Sequence, residues 1–263
     1  MDHFDPDLDG KDRNFVTALA RGLEILRCFR SNEVTLTNSD FSERTGLPKA
    51  TISRLTHTLC ALDYLVADTR VGTYRLSGGV LQLGFAALSS MDISDRAAPE
   101  MRALREEGPN PFITVALGEQ HRNDVVYLAT ETSSEDVSLV IRVGSRLPLY
   151  HSAIGKAILV GMSEPQRARV FAFARDEGPE FEAEAHALFD AAHSEFAERG
   201  FCSGYGSWRP DVNGIAVPVV QAQEGRVYGL NVGGPAYRVK PKQLEGIYAE
   251  RLIKAAGALS IQT

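Results

Sequence analysis

Apolar residues recur at helical spacing through the first third of the chain and gather into strand-like runs after it. Val16, Leu19, Leu23 and Leu26, with Ile25 and Phe29, predict a first amphipathic helix of about four turns. Thr37, followed three residues later by Asp40, has the form of a capping box, and Gly46 can supply a left-handed cap, so a short second helix is expected from Asn38 to Thr45. Leu47 and Pro48 then turn the chain, with Pro48 expected at the first position of a third helix. In that helix Ile52, Leu55, Leu59 and Leu62 form one stripe, while Ala50, Ser53, Arg54 and His57 point the opposite way. After Asp63 the segments YLVAD, TRVG and TYRLS read as a β-hairpin, with Arg70 at its tip and Arg75 on its second strand.

Val80, Leu81, Leu83, Phe85, Leu88 and Met91 predict a helix with a wide apolar surface, and ISDRAAPEMRALREEG is expected to resume as helix after Pro99 and stop at Gly108 and Pro109. PFITVAL, DVVYLAT and VSLVIRV read as an antiparallel meander. Helices are expected at Ile154 to Val160, Glu164 to Ala174 and Ala183 to Arg199, then strands GIAVPVV and RVYGLNV, then a helix from Pro241 to about Ala258. The expected fold is therefore a two-domain α+β protein. Its parts are an acidic arm over 1–13, a winged helix-turn-helix over 14–78, linker helices over 79–108 and an α+β domain over 109–263.

Composition adds limits. A chain of 263 residues with 44% hydrophobic and 24% charged residues has material for two cores. No uncharged apolar run approaches the ~18 residues that a membrane span needs, and the start MDHFDPDLDG is acidic where a signal peptide is basic and then apolar, so a cytoplasmic protein without a membrane partner is expected. Cys28, Cys60 and Cys202 lie far apart in apolar stretches, which suits core residues rather than a metal site or disulfides. The net charge of −6 runs against nucleic-acid binding, but no carboxylate occurs from Pro48 to Leu62, where Lys49, Arg54 and His57 stand.

That local balance gives the third helix its chemistry. A small polar face carrying one long cation suits a major groove: Arg54 is the candidate to read guanine, with Ala50, Ser53 and His57 beside it. Lys49 and Thr51, at the helix start, are placed to meet phosphate, and Arg70 and Arg75 to touch the flanking backbone. Packing against protein or RNA is the other use of such a module.

Further on, Tyr150, His151, Ser152 and Ala153 lead directly into a helix, so the N–H groups of Ala153, Ile154 and Gly155 should converge where a carboxylate fits. Lys156 adds charge nearby or points to solvent. Trp208 can stack on an aromatic acid and Arg209 can pair with its carboxylate; the competing reading is a surface loop with a half-buried tryptophan. Catalysis has little support. Ser152 and Lys156 are four apart, which is not the SxxK spacing, so a hydrolytic enzyme or a protein-interaction module built on them is the alternative. AIGKA lacks the glycine and the Ser or Thr of a P-loop. His186 and His193, with Glu182 and Glu184 nearby, fit a solvated helix face better than a metal site.

Three ordered segments carry a family likeness. ERTGLPKATISRL, VGSRLPLYHSAIGKAIL, and GIAVPVV followed by a strand and Gly-Gly-Pro resemble the IclR family of transcription regulators over roughly residues 15 to 258. The resemblance implies a GAF-like effector domain with an antiparallel sheet, a homodimer or dimer of dimers on double-stranded operator DNA, and no cofactor. It further implies control, with repression expected, by a small organic acid or aromatic compound. Ala153 and Ile154 would line the effector pocket, with Gly214 and Asn231 approaching from opposite strands. The chain departs from the pattern at Gly214, where a cysteine often stands, and in the SWRPDVN loop, whose Asp211 is counted with the effector-binding candidates.

Overall fold

Local capping and turn signals set the N-terminal elements, and near-continuous apolar runs set the central strands of the C-terminal sheet. The structure is a computed structural model that describes residues 14–30, 33–132 and 142–260. The acidic arm and most of VSLVIRV lie outside the described residues; Arg142 and Val143 of that segment precede and enter a turn. The chain separates into two compact units, one ending at Ser90 and the other beginning at Met91.

The first unit contains α1 (Thr17–Arg27), β1 (Leu36–Thr37), α2 (Asn38–Thr45), α3 (Lys49–Ala61), β2 (Leu65–Asp68), β3 (Thr73–Leu76) and α4 (Gly78–Ser89). The capping box forms as expected: Asp40 N–H donates to Thr37 Oγ1 at 3.2 Å, and Thr37 N–H donates to Asp40 Oδ2 at 2.7 Å. Gly46 closes α2 at φ 69°, a left-handed conformation that glycine adopts without a Cβ penalty. Ile25, Cys28, Phe41, Ile52, Leu59 and Leu65 then make one small core.

Five expectations change here. The first helix has 11 residues, nearer three turns than four. Its apolar positions also divide, because Val16, Leu19 and Leu23 lie at least about 120° round the helix from Ile25 at 100° per residue. They are 61%, 62% and 51% exposed, while Ile25 is sealed. Pro48 is the N-cap of α3 rather than its first residue: its ψ of 142° is extended, while its carbonyl already accepts from Ile52 N–H at 3.0 Å. The α3 stripe ends at Leu59, since Leu62 is the C-cap and 60% exposed, and Thr56 fills the buried face with its hydroxyl donated to the Ile52 carbonyl. The hairpin gains a third strand, in the order β1-β3-β2.

The second unit contains α5 (Asp92–Glu106), β4 (Thr114–His121), β5 (Asp124–Glu131), β6 (Arg146–Pro148), α6 (Ala153–Gly161), α7 (Glu164–Asp176) and α8 (Pro179–Arg199). It continues with β7 (Cys202–Tyr205), β8 (Val212–Gln221), β9 (Arg226–Pro235), α9 (Pro241–Gln243), a π-helical turn (Leu244–Tyr248) and α10 (Ala249–Ser260). Helix α5 begins seven residues before Pro99 and runs through it. The ring costs ~3 kcal/mol in a helix interior, offset by burial of Ile93, Ala97, Met101 and Leu104 on one face. The final helix is interrupted by the π turn, and β7 is a strand that the sequence pattern did not reveal.

The sheet is antiparallel throughout, in the order β6-β5-β4-β9-β8-β7. Ala116, Tyr127, Ala216 and Val227 share a core with Ala157, Ile158, Phe171 and Ala185 of α6, α7 and α8. The alternate positions Val115, Leu117, Ile215, Val217, Leu230 and Val232 are equally buried, and α5 and α10 pack on these strands. Both faces of the sheet are therefore covered, which leaves room for a small enclosed site between sheet and helix. Among the described residues no helix is long and apolar enough to cross a membrane.

Candidate nucleic-acid interface and effector cavity

On the first unit, Lys49, Ala50, Ser53, Arg54 and His57 are exposed on α3 and Thr51 is half-buried. The Lys49 and Arg54 side chains make no ion pair among the described residues, in contrast to Arg44 of α2, which forks onto Glu33 at 2.5 and 2.7 Å. Arg44 is thereby held within its unit, whereas Arg54 stands exposed on the outward face of α3. On the hairpin, Arg70 lies in the turn with its N–H donated to Asp68 Oδ1 at 3.0 Å, while Arg75 on β3 donates to the Leu76 carbonyl at 3.3 Å. Both are exposed.

In the second unit the start of α6 faces a small cavity of about 30 Å³. That is room for roughly one or two waters. Ser152, Ala153, Ile154, Trp208, Gly214 and Asn231 all border this space. Their neighbours there, missed in the sequence, include Thr114, Tyr127, Asn213 and Gly233. Three polar atoms of its lining residues, Thr114 Oγ1, Tyr127 Oη and Asn231 Oδ1, are buried with no hydrogen-bond partner of good geometry among the described residues. Burial pushes the Tyr127 phenol well above its ordinary pKa, with the nearby Asn231 amide opposing the shift, so the hydroxyl stays protonated and can donate. Unpaired buried groups are costly, and here three of them belong to residues that border one space.

The remaining sequence candidates separate from the cavity. Tyr150 is 1% exposed, stacked on Phe171 at 5.7 Å between ring centroids, with its hydroxyl 3.4 Å from the Val170 carbonyl. It is a core residue because the chain must turn inward to start α6. Gly155 N–H is taken by Ser152 Oγ at 3.2 Å, and a Cβ on Gly155 would lie 1.9 Å from the Leu149 carbonyl oxygen. Its role is to let the preceding loop close on the helix, which leaves Ala153 and Ile154 as the amides at the cavity. Arg209 is engaged with Asp211 at 3.0 and 2.5 Å, and its guanidinium sits 5.4 Å from the Trp208 ring; both charged residues are exposed outside the cavity lining.

Ser152 and Lys156 are not brought together as nucleophile and base. The Ser152 hydroxyl caps α6, and Lys156 Nζ donates to the Ser203 carbonyl at 3.1 Å. His186 stacks on Phe171 at 4.0 Å, and His193 tilts against Phe189. Cys28 and Cys202 are buried and Cys60 half-buried; burial pushes the Cys28 thiol up to about 11 and the Cys202 thiol up to about 12.

Comparison with known proteins completes the picture. The family model described as "Bacterial transcriptional regulator IclR C-terminal" matches residues 85–261, and the "IclR helix-turn-helix domain" model matches residues 18–69. The chain belongs to the IclR family. This IclR-family chain is 34% identical over 223 residues to the HTH-type transcriptional regulator TsaQ1/TsaQ2 of Comamonas testosteroni, a match covering 84% of the chain and 79% of that protein. It is similar to the crystal structure of an IclR family transcriptional regulator from Brucella abortus, at 39% identity and TM-score 0.82 over 96% of this chain and 94% of that one. It shares its fold with an IclR homolog from Microbacterium hydrocarbonoxydans complexed with 4-hydroxybenzoate, at 23% identity and TM-score 0.66 over 92% and 97% of the two chains. The protein is thus a transcriptional regulator with an N-terminal helix-turn-helix domain for DNA and a C-terminal α+β effector domain.

Proposed function

We propose that this regulator holds its operator through the exposed face of α3 and releases or tightens it when a small carboxylate enters the α6 cavity. Arg54 reads a base edge, supported by Ala50, Ser53 and His57, and Lys49, Thr51, Arg70 and Arg75 meet the backbone. The carboxylate lies against the Ala153 and Ile154 N–H groups at the positive end of the α6 dipole. Thr114, Tyr127 and Asn231 receive the rest of the ligand. The observation that carries this reading is that Thr114, Tyr127 and Asn231, whose buried oxygens lack well-formed hydrogen bonds among the described residues, line one cavity at a helix start.

Because the cavity holds only water-sized space, an acid entering it must move a wall. The half-buried Trp208, on the segment between β7 and β8, is the wall free to move, with Arg209 and Asp211 travelling beside it. Exposed Leu81, Leu83 and Phe85 on α4 give the reason to expect a homodimer or dimer of dimers, matching a two-fold operator. Repression in the cytoplasm, without catalysis, completes the reading. The neighbour bound to 4-hydroxybenzoate supports an aromatic acid as the first probe.

The test selects an operator from random-sequence DNA with the full-length protein, then titrates the complex with benzoate, 4-hydroxybenzoate, acetate and pyruvate. At least one acid is expected to raise the melting temperature of the free protein and to change operator affinity. No response to any of the four would overturn the carboxylate reading.

A further inference from the structure

One row of residues crosses the floor of the cavity from strand to strand. Gly204 of β7 pairs with Gly214 of β8, Gly214 with Gly233 of β9, and Gly233 with Thr114 of β4. Three adjacent strands therefore present bare backbone before the row ends in the partnerless Thr114 hydroxyl. Two of these glycines are required by packing. A Cβ on Gly204 would lie 3.0 Å from Ala153 N, and one on Gly233 would lie 2.7 Å from the Asn213 carbonyl oxygen.

Gly214 is different. A Cβ built there meets nothing nearer than the Val232 carbonyl oxygen at 3.4 Å, an ordinary contact, and its φ is not in the left-handed region. The fold tolerates a side chain at this position, and Gly204 and Gly233, opposite it on the sheet, line the same cavity. A glycine inside a strand also gives up packing and chain stiffness. With no steric or conformational demand for it, the space it leaves is the remaining physical reason.

We propose that Gly214 sets the size of ligand the cavity accepts: its missing side chain makes room for a ring or branched carbon skeleton attached to the acid group. The carboxyl end stays at Ala153 and Ile154, the skeleton lies on the glycine floor, and a hydroxyl or carbonyl at its far end meets Thr114 and Tyr127. This assignment rests on the carboxylate reading above. A methyl group at 214 occupies the floor without disturbing the strands, so it acts on ligand size rather than on folding.

The experiment uses full-length wild type, Gly214→Ala and Gly214→Ser, with benzoate, 4-hydroxybenzoate, acetate and pyruvate as probes in calorimetric titration and thermal melting. Expected are unliganded melting temperatures at or above wild type and at least tenfold weaker binding of the two ring acids by both variants. Equal ring-acid affinity in wild type and variants overturns the proposal and leaves the carboxylate reading standing. Wild-type binding of acetate or pyruvate without either ring acid has the same consequence. Binding of none of the four overturns both. If neither variant folds, the space does not exist and the proposal fails on that ground.

Discussion

Two helix starts in this protein have the same local electrostatics and opposite surroundings. The start of α3 follows Pro48, has no side-chain cap, and presents Lys49, Ala50 and Thr51 at the outer surface of its unit. The start of α6 follows Leu149 and Tyr150 into the interior, is capped by Ser152, and has Ala153 and Ile154 buried against a cavity. Both ends carry the partial positive charge of aligned peptide dipoles. At α3 that charge faces water and suits one phosphate among many, so cations and long side chains must supply affinity and selectivity. At α6 it acts where water is nearly excluded and suits one small anion. On the proposed function, exposure decides whether the same helix terminus serves a polymer or a metabolite-sized ligand.

The largest effect that would break this comparison lies at α3. Arg54→Ala should cost about 1 to 3 kcal/mol of operator affinity and relax selection at one base pair. Binding assays against the selected operator and its single-base variants check both points. Unchanged affinity and unchanged selectivity would remove α3 from the interface.

A smaller effect sharpens the α6 side. Tyr127→Phe removes a buried hydroxyl that makes no well-formed hydrogen bond among the described residues, so the unliganded melting temperature should stay level or rise, while affinity for the responding acid falls by about tenfold, or ~1.4 kcal/mol. The opposite outcome, a lower melting temperature with unchanged ligand affinity, would assign the hydroxyl to structure.

The smallest concerns the support under α3. Thr37 N–H and hydroxyl hold the Asp40 carboxyl below its ordinary range. A depressed folded-state pKa contributes stability above the unfolded value, ~4, and that contribution is lost as pH falls through the lower folded value. Asp40→Asn should therefore flatten the acid side of the thermal stability profile of the first unit, measured as melting temperature against pH. A profile identical to wild type would mean that the cap contributes nothing through its charge.

Legibility followed the range of the interactions. The Thr37 and Asp40 cap, the Gly46 terminus, the hairpin with Arg70 at its turn and the outward face of α3 were all readable, because each is decided within a few residues of sequence. The division of the α1 stripe was not, since the spacing of Leu19 and Leu23 reports a helix but not which side meets Phe41 and Ile52. In the effector domain, Ala153 and Ile154 were readable from the helix start that follows Ser152. Tyr150 was misplaced because an aromatic residue beside a ligand loop and one in a core have the same local pattern. Gly155 was misassigned because its requirement comes from the Leu149 carbonyl pressed against it.

The sequence by itself determined a helix after Pro48 with Arg54 on its outward face, an effector-domain helix beginning after Ser152, and most of the strands and helices around them. Only the tertiary structure decided that Thr114, Tyr127, Gly214 and Asn231, drawn from four strands, border one cavity with Ala153. Capping, periodicity and turn preference are local free energies and leave local marks. A cavity is bounded by segments far apart in the chain, and its unmet hydrogen bonds and open floor exist only once those strands lie side by side.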